Sequence, residues 1–153
     1  MSNEAEKQER LLKHVGALLE AMIAELEYVD SETVMKIMEK CGRACAYSDG
    51  DLELAKNIAD ETIDLEEILS RVNAELLWCG KWTKKGNTIK TTCFKCGCPL
   101  VRNHVVKLTG TLCYCSRGWV KSIFEVLLKR PVTVELEKSI GRGDKICKLV
   151  AHF

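Results

Sequence analysis

Nine cysteines in 153 residues are the side chains best able to do chemistry in this sequence. Cys93, Cys96 and Cys98 fall in CFKCGCP, and Cys113 and Cys115 in CYC. Sixteen residues lie between Cys96 and Cys113, a separation used by paired zinc knuckles, although the second pair has one intervening residue rather than two. Thiolates hold zinc tetrahedrally at about 2.3 Å, and Gly97 permits the tight backbone that lets neighbouring sulfurs converge. Cys96, Cys98, Cys113 and Cys115 are therefore the first expected ligands of a zinc ion, with iron–sulfur chemistry the less favoured use of the same thiols. Cys41 and Cys45, one helical turn apart in CGRAC, and Cys147 come next. Reduced packing thiols are the alternative at every one of these positions.

A helix beginning near Ser116 places the free N–H groups of its first turn beside Cys113 and Cys115, which favours a thiolate or a bound anion. Arg117 and Lys121 are expected to orient an anionic group, with Trp119 as a further ligand contact. None of His14, His104 and His152 is close in sequence to these cysteines, so a Cys–His catalytic pair would depend on folding.

Those side chains need elements to position them. Leu11, Leu12, Val15, Leu18, Leu19, Met22, Ile23 and Leu26 repeat at helical spacing over about residues 4–28. Asp30 or Ser31 caps a second helix reaching Cys45, a third spans about 51–59, and the capping box at Asp64 opens a fourth over about 65–75. Residues 78–83 and 88–93 read as a hairpin about the Lys85-Gly86-Asn87 turn. A helix over 116–129 ends at Pro131, and alternation at 132–137 and 147–153 makes a second hairpin. Helices first and an antiparallel sheet of two hairpins later, with one helix packed on that sheet, mean an α+β fold. Residues 1–30 are expected to be an N-terminal helix for core or dimer contact, and 31–153 a cysteine-rich ligand-binding domain.

Composition narrows the function. Residues 1–75 carry 8 Lys and Arg against 18 Asp and Glu, and residues 76–153 carry 15 against 4, which leaves a net charge of only +1. The asymmetry is expected to reflect an acidic helical half lying beside a basic sheet half with most charges solvated, the sharper alternative being that the basic half attracts a small anionic ligand. Nucleic acid is disfavoured because no finger, RNA-binding or recognition-helix signature accompanies the charge. The apolar runs are too short to span a bilayer and the charged opening MSNEAEKQER is no signal peptide, so the expectation is a cytoplasmic chain with reduced thiols.

The run from Cys113 to Phe153, with its cysteine near a helix start, its valine-glutamate strand and its Gly143-Asp144-x-x-Cys147 close, resembles the C-terminal part of the four-vinyl reductase domain family. That resemblance implies an α+β small-molecule-binding domain, often dimeric, of the kind found in chlorophyll biosynthesis and in sensors of aromatic effectors. In the zinc-bearing sensor branch it implies ligands at Cys113 and Cys147, but the other two matching positions here are Leu136 and Ser139. CGRAC, CGCP, CYCSRGWVK and the Gly-Asp-x-x-Cys close are also similar to a group of small bacterial proteins related to 2-amino-thiazoline-4-carboxylate hydrolases, over about residues 38–153. The resulting expectation is a sensor-like small-molecule-binding protein with a cysteine-ligated zinc, taking a small anionic or heterocyclic ligand as a homodimer. Two alternatives stand beside it: a hydrolase opening a small heterocycle, by a metal-bound water or a cysteine thiolate, and a dimeric interaction module.

Overall fold

The computed structural model describes residues 2–76 and 80–153. Four helices come first: α1 (Ser2–Leu26), α2 (Ser31–Ser48), α3 (Asp51–Glu61) and α4 (Leu65–Glu75). The capping residues do what their types predict. The Asp30 carboxylate accepts the Thr33 N–H at 2.9 Å, and that of Asp64 accepts the Glu67 N–H at 2.8 Å, so each satisfies one orphan donor of a first turn.

Strands β1 (Thr83–Lys85) and β2 (Thr88–Cys93) follow, then a short helix α5 (Pro99–Arg102), the long helix α6 (Gly110–Leu128), and strands β3 (Thr133–Lys138) and β4 (Cys147–His152). The sheet is antiparallel throughout, in the order β1-β2-β4-β3. The two expected hairpins are thus joined along β2 and β4, where Cys93 lies opposite Cys147. The fold is α+β, as the sequence pattern predicts.

Three boundaries differ from expectation. Helix α6 starts at Gly110 rather than near Ser116, because the Thr109 hydroxyl caps it by accepting the Leu112 N–H at 3.2 Å. Leu112, Ser116, Trp119 and Ile123 then form one continuous stripe that the dense cysteines conceal in the sequence. The first strand is confined to Thr83–Lys85 because the backbone of Trp82 is bonded to α4 instead of the sheet: its N–H donates to Asn73 Oδ1 at 2.7 Å and its carbonyl accepts from Asn73 Nδ2 at 2.9 Å. The start of the expected strand, Trp78 and Cys79, lies outside the described residues. Pro99 opens α5 in a segment expected to be loop, since a first-turn position needs no N–H.

The main core lies between α3, α4, α6 and the inner sheet face. Phe124, Ile123, Ile58 and Ile89 are fully buried there, each contributing roughly 1.5–3 kcal/mol. The ring of Trp82 meets Phe124 edge-on at 4.9 Å. A second, smaller cluster holds Ile23 of α1 against Val34 and Met38 of α2, Val106, and Leu112 of α6. The expected stripe of α1 is therefore divided. Ile23 is buried and Leu19 and Leu26 pack on that cluster, but Leu11, Leu18 and Met22 are about 60% exposed.

Helices α2 and α6 approach closely because two glycines face each other's backbones. A Cβ at Gly42 would stand 2.0 Å from the carbonyl oxygen of Cys115, and one at Gly118 would stand 2.0 Å from that of Glu39. No other residue type permits that separation.

Candidate functional site

Between the N-terminal part of α6, the C-terminal end of α2, the segment 96–100 and the inner sheet lies a cavity of about 220 Å³. Its wall is unusually rich in sulfur. Cys45, Cys96, Cys98, Cys113, Cys115 and Cys147 all line it, and Cys93 stands with them. Six of the seven expected metal-ligating cysteines thus meet at one place. The seventh, Cys41, is exposed one turn before Cys45. All seven are free thiols; Cys93 is disulfide-bonded, which departs from the expectation of a fully reduced chain.

The thiols fall into two groups because residues two apart on a helix point to different sides. Cys113 faces the start of the Gly141 turn, where an added Cβ on Gly141 would stand 2.5 Å from its Sγ, and it interacts with Cys96, Cys98 and Cys147. Cys115 faces α2, where its thiol is hydrogen-bonded to Cys45. The expectation that Cys113 and Cys115 act side by side from a loop fails for that reason: both are inside α6, and its orphan N–H groups belong to residues further upstream.

In the first group, burial pushes the Cys96, Cys98 and Cys147 thiols above their ordinary range, and neighbouring sulfurs add to the shift. Backbone donors oppose it. Cys96 accepts from the N–H of Cys98, Cys98 from those of Val101 and Leu100, and Cys147 from that of Ile140 at 3.4 Å. These N–H groups are arranged to stabilise sulfur that carries negative charge. Nearby, the Ser139 hydroxyl is fully buried and has no hydrogen-bond partner among the described residues. Among the described residues no three ligating side chains are already converged as a metal would require. The donors present fit a soft metal in kind, being thiols with backbone N–H support and mutual repulsion that a cation would relieve.

In the second group the Cys115 S–H donates to Cys45, which lowers Cys45 to about 7 and raises Cys115, the donor. Cys41 is exposed as a residue, but partial desolvation of its sulfur, followed by the charge of Cys45, raises its thiol.

The remaining wall is mostly apolar, with Ser48, Asp49 and Ser116 as its polar side chains. Leu100, Leu108, Leu112 and Leu149 line it with the indoles of Trp82 and Trp119. Trp119, an expected contact, is there, its Nε1 donating to Asp51 Oδ2 at 3.1 Å. Arg117 and Lys121 are not. Arg117 donates to the Val134 carbonyl at 3.1 Å, and Lys121 pairs with Glu39 at 2.6 Å. Among the described residues no Lys, Arg or His lines the cavity, and Asp49 is its one charged group. The charge asymmetry of the sequence therefore does not translate into a cationic pocket, because these helix positions turn their cations toward β3 and α2. Trp82 and the leucines were missed as site residues. A signal existed for Leu149, two residues after Cys147 on one strand and therefore on the same face.

A family model described as a family of unknown function, DUF6144, matches residues 3–152. No curated relative matches the sequence. Among solved structures, the phenol-responsive sensory domain of the transcription activator PoxR, crystallised with phenol, is similar to this chain with a TM-score of 0.56 and 15% identity. The similarity covers 90% of this chain and 73% of that one. At that identity the likeness is one of fold. The matching family is also not the four-vinyl reductase family that the C-terminal motifs resemble.

Proposed function

This chain belongs to the DUF6144 family, and we propose that it is a cytoplasmic, sensor-like protein whose sulfur- and indole-lined cavity binds a small, uncharged aromatic or heterocyclic molecule. The observation that carries this reading is the cavity wall. It combines apolar side chains, two indoles and thiols with no cation among the described residues, a surface that suits a neutral ring and gives nothing to balance a carboxylate. The shared fold with a phenol-responsive sensory domain supports it. No helix is long and apolar enough to cross a membrane among the described residues.

Zinc is the proposed cofactor, held by Cys96, Cys98, Cys113 and Cys147. This set keeps three of the four first-expected ligands and replaces Cys115, which faces α2, with Cys147. When bound, the ion would neutralise and knot together the segment 96–98, α6 and β4. A homodimer through α1 is proposed from Leu11, Leu18 and Met22, which share one exposed face. The hydrolase alternative has less support, since an amino-thiazoline carboxylate would enter this cavity without a counter-charge.

Thermal unfolding of the full chain with phenol, indole and benzoate tests the ligand reading. Phenol or indole should raise the melting temperature in a saturable way, and benzoate should not. Stabilisation by benzoate alone, or by none of the three, overturns it. For zinc, metal analysis should find about one equivalent, with both metal content and melting temperature lowered in Cys98→Ser. A chain that takes up no zinc under reducing conditions refutes that part.

A further inference from the structure

We infer that Cys45 and Cys115 form a redox-active dithiol, a modification site that closes to a disulfide between α2 and α6 when the protein meets a peroxide. The inference does not depend on the zinc or ligand reading. Ordinary helix pairs hold their axes 8–10 Å apart, whereas a disulfide needs Cα atoms within about 4.4–6.8 Å. The glycine crossing removes that obstacle. Gly42 meets the backbone of Cys115, and Gly118 that of Glu39, so the two helices run antiparallel with their backbones in contact. Cys45 is three residues beyond Gly42 and Cys115 three residues before Gly118, which puts each thiol on its helix's contact face. The geometry is completed by the hydrogen bond between the two thiols.

Their surroundings distinguish this pair from the other cysteines. Both line the cavity and both are only partly buried, so a small oxidant can reach them. Cys41 is on the same helix but exposed and outside the cavity wall. Of the remaining thiols, Cys96 and Cys147 interact with Cys113, whereas Cys98 stands between the two groups and interacts with Cys45 and Cys115 as well as with Cys113.

The chemistry balances with hydrogen peroxide as the oxidant. The Cys45 sulfur attacks one peroxide oxygen and the O–O bond breaks. A sulfenic acid forms on Cys45, and the departing oxygen takes up a proton to leave as water. The Cys115 sulfur then attacks the sulfenic sulfur, the S–S bond forms, the S–O bond breaks, and a second water leaves with the Cys115 proton. Two thiols are oxidised, and one peroxide is reduced to two waters. The new bond would tie together two walls of the cavity, and a dithiol reductant would reopen it.

The test is peptide mapping of the full chain, reduced, desalted, treated with hydrogen peroxide and then alkylated. Cys45 and Cys115 should lose alkylation together and appear in one crosslinked peptide, while Cys41 stays alkylated. Dithiothreitol should restore both. In Cys115→Ser, Cys45 should instead accumulate as a sulfenic acid trapped by dimedone, and in Cys41→Ser the crosslink should persist. Oxidation of Cys45 no faster than that of Cys41, or its pairing with Cys41 or Cys98 in place of Cys115, overturns the inference. The wild-type map decides the matter even where a variant fails to fold.

Discussion

The two ends of α6 belong to one continuous helix but carry different side chains and do different things. From Val120 to Leu127 the helix presents Ile123 and Phe124 to α3, α4 and the sheet, and the space is filled. From Leu112 to Trp119 it presents two cysteines and a serine to the cavity, and the space beside them stays open. Large branched and aromatic side chains close a core; small side chains on a helix held at fixed distance from its neighbours leave room. The sulfur-rich end is therefore a cavity by volume and a cluster of free thiols by chemistry, and one set of residues is responsible for both.

That contrast can be broken most directly by truncating each end. Phe124→Ala should destabilise the chain by about 3–5 kcal/mol in urea unfolding, since nothing nearby can collapse into the hole, whereas Leu112→Ala beside the open cavity should cost about 2 kcal/mol. Equal losses would mean that the cavity end is packed as tightly as the core end.

The crossing of α2 and α6 gives the next effect. Alanine at Gly118 should gain up to about 1 kcal/mol in helix propensity. The added methyl cannot fit 2.0 Å from the Glu39 carbonyl oxygen, so we expect a net loss of about 1–3 kcal/mol and a separated Cys45–Cys115 pair. A neutral or stabilised Gly118→Ala would falsify the close approach.

The thiols sharpen the comparison further. With Cys45 lowered to about 7 by the Cys115 hydrogen bond and Cys41 raised by partial desolvation of its sulfur, iodoacetamide should label Cys45 first at neutral pH. The thiolate is the nucleophile, so its rate should be half-maximal near pH 7, level off about one pH unit above that and fall about tenfold per unit well below it. Cys115→Ala removes the donor and should move this midpoint upward. A midpoint unchanged in Cys115→Ala contradicts the assignment.

The smallest effect belongs to α1. Leu18 is 57% exposed, so Leu18→Ser should change monomer stability by no more than about 0.5 kcal/mol. The informative measurement is mass by light scattering. Conversion of a dimer to a monomer supports the α1 interface, and a wild-type monomer removes it.

Much of this molecule was legible in one dimension. The caps at Asp30 and Asp64, the four leading helices, the alternating strands about residues 132–153 and the helix packed on the sheet follow from local propensity and periodicity, which act over a few residues. The seven thiols were recognisable by residue type alone. Their division was not. Cys113 and Cys115 look like a pair until the Thr109 cap places both inside α6 and turns them toward different neighbours. Arg117 and Lys121 look like an anion site until β3 and Glu39 claim them. Which side of a helix a residue faces depends on where the helix begins and what packs beside it, and both are long-range facts. The sequence by itself determined the elements and the supply of sulfur; only the tertiary structure, through the glycine contact of α2 with α6, decided which sulfurs meet.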